Sequence, residues 1–137
     1  MDVSRISLTI RQMPIPVYQE NLRKIVAHIR QRYPCTKIIL LTTSSVDTPT
    51  ISKLDASFGL PEEFRTFRTA DSSAKYAEAL VEVATESKLP YVDVLKLHRE
   101  MMENGKGFGD IFSDGLHYSP LGYSVGLAYS AIFLADR

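Results

Sequence analysis

The chain has 137 residues, enough for one domain with a modest core. Hydrophobic residues make up 45% and charged residues 23%, a water-soluble globular balance. Lys plus Arg number 16 and Asp plus Glu also 16, so no net field draws the chain to nucleic acid or an anionic membrane. The one cysteine, Cys35, excludes an internal disulfide framework and fits a reducing compartment.

Residues 1–5 carry no basic-then-apolar leader, which points to a cytoplasmic protein. Residues 6–10 are a candidate strand. Pro16 opens a helix whose apolar stripe is Tyr18, Leu22, Ile25, Val26, Ile29 and Tyr33. Glu20 and Lys24 support its outer face, Arg30 and Arg32 suit its C-terminal end, and Pro34 stops it. Residues 37–43 then form an unbroken apolar, β-branched run, the pattern of a parallel strand buried on both faces.

Residues 44–69 read as a long excursion with a short helical turn near 51–56, in the position of a lid or a surface insertion. Residues 70–87 return to helical period, with Tyr76, Leu80, Val83 and Ala84 on one face and Asp71 or Ser72 as cap. After the breaker Lys88-Leu89-Pro90, residues 91–95 read as a second strand and 97–104 as a brief helix. Residues 105–109, rich in glycine, read as a flexible loop. Ser119 and Pro120 start the last helix, with the stripe Leu121, Val125, Ala128, Ile132 and Phe133. That apolar segment is too short and too interrupted for a membrane span of about 20 residues.

Helices alternating with apolar strands indicate an α/β fold with parallel strands. Two strands are too few for such a sheet, and the run at 37–43 is too apolar for an edge. It expects a neighbour on each side.

The chemistry concentrates in Ser113-Asp114-Gly115-Leu116-His117-Tyr118-Ser119-Pro120. A histidine titrates near neutral pH, and a carboxylate on its second nitrogen fixes the tautomer. Gly115 permits the left-handed backbone that folds Asp114 back toward His117. Asp-x-x-His alone is a short pattern, and a turn-capping aspartate beside a half-exposed histidine is its ordinary structural reading. A metal site would need a third ligand, and none stands at recognisable spacing. His28, His98 and Cys35 read as structural or idle. Met101, Met102 and Phe108 read as core or as an acyl pocket.

Three stretches make the chain resemble the SGNH, or GDSL-type, hydrolases, nearest to the isoamyl acetate-hydrolysing esterase branch. These are residues 16–26, residues 67–69 with 76–80, and residues 114–122, which look like the family's final block. The resemblance covers residues 14–137, with 1–13 atypical, in a single partial domain. It implies the C-terminal portion of a three-layer α/β/α, flavodoxin-like fold. It also implies hydrolysis of small, acetate-like carboxylic esters through a serine acyl-enzyme, without metal or cofactor. Carried onto this chain, His117 is the general base and Asp114 its orienting carboxylate. The family's Gly-Asp-Ser turn and Gly-x-Asn-Asp block do not occur in these 137 residues, where Asn21 and Asn104 are the only asparagines. An N-terminally incomplete family domain is therefore expected.

Ser44, Ser45, Ser72, Ser113, Ser119 and Ser124 are the substitute nucleophiles to consider, and none sits in a strand-to-helix elbow. The competing expectation is a non-catalytic module that oligomerises or docks on a partner through its unpaired strand edge. A flavodoxin-like ligand-binding module ranks last, because no glycine-rich phosphate loop is present.

Overall fold

The computed structural model describes residues 12–59 and 69–135. The candidate strand at 6–10 lies outside them, as does most of the second half of the 44–69 excursion. In chain order the elements are α1 (Ile15–Arg32), β1 (Leu40–Leu41), α2 (Thr48–Ser57), α3 (Ala70–Glu86), β2 (Tyr91–Val92), α4 (Val94–Glu103), α5 (Phe108–Ile111) and α6 (Pro120–Ala135).

The fold is α/β, mostly helical, with parallel strands. β1 and β2 pair in the register Leu40 to Tyr91 and Leu41 to Val92. The ladder is shorter than the apolar run: Ile38 and Ile39 are half-buried outside it, and Leu41 is 45% exposed. The expectation of a strand buried on both faces is corrected here. Among the described residues β1 pairs only with β2, so its far side has no ladder partner.

α1 and α3 form the main helix pair. The Tyr18 and Tyr76 rings meet edge to face at 5.0 Å. Arg23 reaches Glu86 at 2.7 Å, and Arg30 donates to the Ser87 carbonyl at 2.8 Å. Val26 is the buried centre of the α1 stripe, whereas Ile25 and Tyr33 face water. Glu20 and Lys24 pair at 3.5 Å as their spacing predicts. The cap of α3 is Thr69, whose hydroxyl accepts from the Ser72 N–H at 3.0 Å, not Asp71 or Ser72. Leu80, Val83 and Ala84 are buried as expected.

The second strand also ends early. Asp93 accepts from the Lys96 N–H at 3.0 Å and so caps α4, which draws Val94 and Leu95 into the helix. Thr42 ties the two strand ends together, donating to Asp93 at 3.3 Å and accepting from the Leu95 N–H at 3.3 Å. The glycine-rich loop is partly helical, as α5. The excursion contains a full helix, α2, with Ile51 on its buried face.

The last helix corrects the sequence reading most. Ser119 caps α6 as predicted, accepting from the Gly122 N–H at 3.1 Å. The buried face is Gly122 and Gly126, not the stripe from Leu121 to Phe133. Leu121, Val125, Ala128 and Ile132 lie about 60–120° round the helix from Gly122, and Ile132 is 58% exposed. The reason is closeness of approach: a Cβ at Gly122 would stand 2.4 Å from the Ile111 carbonyl oxygen. At Gly126 the nearest atoms, on Val94 and Leu41, are at 3.9 and 4.0 Å.

Alanine at the two positions should therefore act oppositely. Gly122→Ala should cost about 1–3 kcal/mol, because the neighbour is backbone and cannot rotate away. Gly126→Ala should be neutral or stabilise by up to about 1 kcal/mol through helix propensity. Thermal melting of the two variants checks the ordering, and equal losses would refute it.

Candidate active site

Residues 112–118 form a closed turn between α5 and α6. Phe112 and Tyr118 form an antiparallel bridge at its base, and the Ser113 N–H donates to the His117 carbonyl at 2.8 Å. At its tip Gly115 takes φ +85°, the left-handed region that favours glycine. A Cβ there would also stand 3.0 Å from Thr50. The Gly115 carbonyl accepts from the Asp47 N–H at 2.9 Å, which binds the tip to the start of α2.

This backbone folds Asp114 over the turn. One carboxylate oxygen accepts from the backbone N–H groups of Leu116 at 3.0 Å and His117 at 2.8 Å. The other stands 2.6 Å from His117 Nδ1. The His117 side-chain contact, then these backbone donors, hold the Asp114 carboxyl at about 2, below its ordinary 3.8. The pair expected from sequence is thus assembled within one turn. Nδ1 faces the carboxylate, so Nε2 is the ring nitrogen not engaged by Asp114. The pair is solvent-facing, with the His117 side chain 68% exposed, so its charge interaction is screened.

Beside it lies a cleft of about 120 Å³ lined by Thr43, Ser44, Ser45, Val46, Leu116, His117, Tyr118 and Tyr123. The first residues of the excursion are therefore a wall of the cleft. Met101, Met102 and Phe108 do not line it; Phe108 instead stacks on Phe112 at 5.7 Å. Among the serines considered as nucleophiles, Ser44 and Ser45 line the cleft but are buried. The Ser113 hydroxyl donates to the His117 carbonyl at 3.1 Å, and Ser119 is the α6 cap. Ser124 donates to the Leu121 carbonyl at 2.7 Å, and the Ser72 N–H lies in the α3 cap.

His98, read from sequence as structural, is fully buried and bonded through both ring nitrogens, to Ser44 and to the Gly122 carbonyl. Sequence reasoning did not connect it to the cleft wall. Its position on the inward face of a short amphipathic helix was the available signal. Cys35 is exposed, and His28 faces water. Tyr118 is held above its ordinary pKa by burial, against the opposing effect of its bonds to Ser44. Among the described residues no group of three His, Cys, Asp or Glu side chains is gathered to hold a metal ion. No described helix is long and apolar enough to cross a membrane.

Residues 9–125 match the model of the GDSL-like lipase/acylhydrolase family. A GDSL esterase/lipase of Arabidopsis thaliana is 31% identical over 118 residues, 84% of this chain and 46% of that protein. The isoamyl acetate-hydrolyzing esterase of Saccharomyces cerevisiae is 28% identical over 117 residues, 84% of this chain and 45% of the yeast protein. The chain spans about half the length of these relatives. Among solved structures, the esterase domain of the ZfL2-1 ORF1 protein from a zebrafish retrotransposon superposes with TM-score 0.63 at 18% identity. That match covers 92% of this chain and 62% of the other. The lipase/acylhydrolase from Enterococcus faecalis gives TM-score 0.60 at 24% identity, over 89% of this chain and 51% of that one. The likeness to these structures is one of fold. The family match and the fold agree, and the chain belongs to the GDSL-like lipase/acylhydrolase family.

Proposed function

We propose that the protein is a serine-type carboxylic-ester hydrolase acting on small, acetate-like esters, and that Asp114 and His117 are the base half of its triad. The observation that carries this reading is the Asp114–His117 contact at 2.6 Å beside the cleft, with the carboxylate locked by two backbone donors. A carboxylate on Nδ1 leaves Nε2 to take the proton of a nucleophilic hydroxyl and return it to the leaving alkoxide. The modest cleft suits a short acyl or alkyl group, and one relative is named for hydrolysing isoamyl acetate.

The reading requires a serine within reach of Nε2 and N–H donors for the developing oxyanion. The Ser44 hydroxyl is committed to His98 at 2.6 Å and is no substitute. In this reading the nucleophile belongs to a Gly-Asp-Ser turn, a motif that these 137 residues do not contain.

A second reading, a non-catalytic module, is favoured by one observation. Leu41 is 45% exposed on a strand that pairs on one side only among the described residues. A partner strand adding alongside β1 would cover it.

In the natural full-length protein, His117→Ala should lower kcat on short acetate esters by about a thousandfold or more with KM little changed. Near wild-type turnover in that variant would refute the assignment. A wild-type protein inert toward such esters, but eluting as a complex, would favour the module.

The carboxyl makes a separate prediction. Asp114 holds its proton more weakly folded (about 2) than at its ordinary 3.8. Its pairing thus favours the folded state above pH 3.8, an advantage lost as pH falls through about 2. Carbon-13 titration should place Asp114 near 2 in the wild type and nearer 3.8 in His117→Ala. An ordinary wild-type midpoint would mean that the pair does not form in solution.

A further inference from the structure

We propose that the buried Ser44–His98 pair is a positioning device for His117, holding the base of its turn so that the imidazole is presented to the cleft. The inference rests on reading Asp114–His117 as the catalytic base pair. His98 and Ser44 touch no reacting atom in it; they act through Tyr118 and Phe112.

His98 is 0% exposed on α4. A core position there asks only for an apolar side chain, whereas an imidazole brings two nitrogens that must both find partners. Each partner belongs to a different element. Nε2 stands 2.9 Å from the Gly122 carbonyl, in the first turn of α6. A carbonyl oxygen only accepts, so Nε2 carries a proton. In the neutral ring Nδ1 is then the acceptor, and the Ser44 hydroxyl donates to it at 2.6 Å. Ser44, just beyond β1, also donates its backbone N–H to the Tyr118 hydroxyl at 3.1 Å.

The ring itself completes the arrangement. It meets Tyr118 edge-on at 5.0 Å and 89°, and Phe112 at 5.8 Å and 84°. Phe112 and Tyr118 are the two residues whose bridge closes the His117 turn. An apolar side chain would pack against both but would tie neither ring to Ser44 and Gly122 through a hydrogen-bonded side chain. An imidazole bonded at both nitrogens has one orientation, and edge-to-face packing passes that orientation to the rings on either side. The strand end, the turn and the start of α6 are thereby joined through one side chain, and His117 stands one residue from the joint.

The Asp114 carboxyl reports the aim of His117 without any substrate, because its lowered titration depends first on the His117 side chain. The test is carbon-13 titration of Asp114 in Ser44→Ala, which barely changes core volume, and in His98→Leu, which fills the core without nitrogens. The expected result is a retained fold by circular dichroism, with the Asp114 midpoint moving from about 2 toward 3.8. In the full-length enzyme, turnover of short acetate esters should fall by up to about a hundredfold, mostly in kcat. His98→Gln, whose amide can donate to Gly122 and accept from Ser44, should recover part of both losses.

A lowered melting temperature with the Asp114 midpoint unmoved would reduce His98 to core packing and overturn the proposal. If His98→Leu does not fold, Ser44→Ala decides alone: an unmoved midpoint overturns the proposal and a raised one supports it. The two readings fail separately. A moved midpoint in a protein whose wild type hydrolyses no ester would keep the positioning role and remove the catalytic one.

Discussion

The site depends on how closely α6 approaches the backbone at Ile111. Gly122 permits this approach, since a Cβ there would stand 2.4 Å from the Ile111 carbonyl oxygen. With the helix in place, the Ser119 N–H donates to that same carbonyl at 2.8 Å, and the Gly122 carbonyl comes within 2.9 Å of His98. Move the helix out by the width of a methyl group, and those bonds lengthen together. The turn that carries Asp114 and His117 springs from between Ile111 and Ser119. The turn is held both by this packing at its base and by the Asp47 N–H bond to the buried Gly115 at its tip.

Within the turn, the chemistry is local and electrostatic. Asp114 accepts two backbone N–H groups and faces one imidazole nitrogen, an arrangement that favours its charged form strongly enough to survive solvent exposure. Coulomb attraction alone would be weak at such an exposed site. The hydrogen bonds supply direction, and direction is what fixes which imidazole nitrogen faces the carboxylate. The cleft wall on the opposite side comes from residues after β1, so the site forms only where strand end, turn and last helix converge.

Much of this was legible in the chain. Period-three-and-four stripes located α1 and α3, and Ser119-Pro120 marked the start of α6. The Asp114-Gly115-x-His117 spacing anticipated a contact that needs only three residues to close. The differences have physical causes. The strands are shorter than their apolar runs because Asp93 caps α4, which starts three residues earlier than the sequence reading placed it, and because β1 pairs on one side among the described residues. Thr69 outcompetes Asp71 and Ser72 as cap because its extended backbone sits immediately before the first helical residue. The stripe on α6 misled because bulk was taken as the mark of burial; two glycines were buried instead.

What the sequence determined by itself was therefore the positions of α1 and α3, the start of α6, the parallel α/β class, the Asp114–His117 contact and the family. The helices and the contact follow from residues close together along the chain, where periodicity, capping and turn geometry leave few choices. Only the tertiary structure decided which face of α6 is buried, that Ser44 is bonded to His98, and that His98 lies beneath the rings closing the turn. Ser44 and His98 are 54 residues apart, and His98 and Gly122 are 24 apart. No local pattern constrains groups so separated. Their meeting is fixed by close packing and by the requirement that every buried nitrogen find a partner.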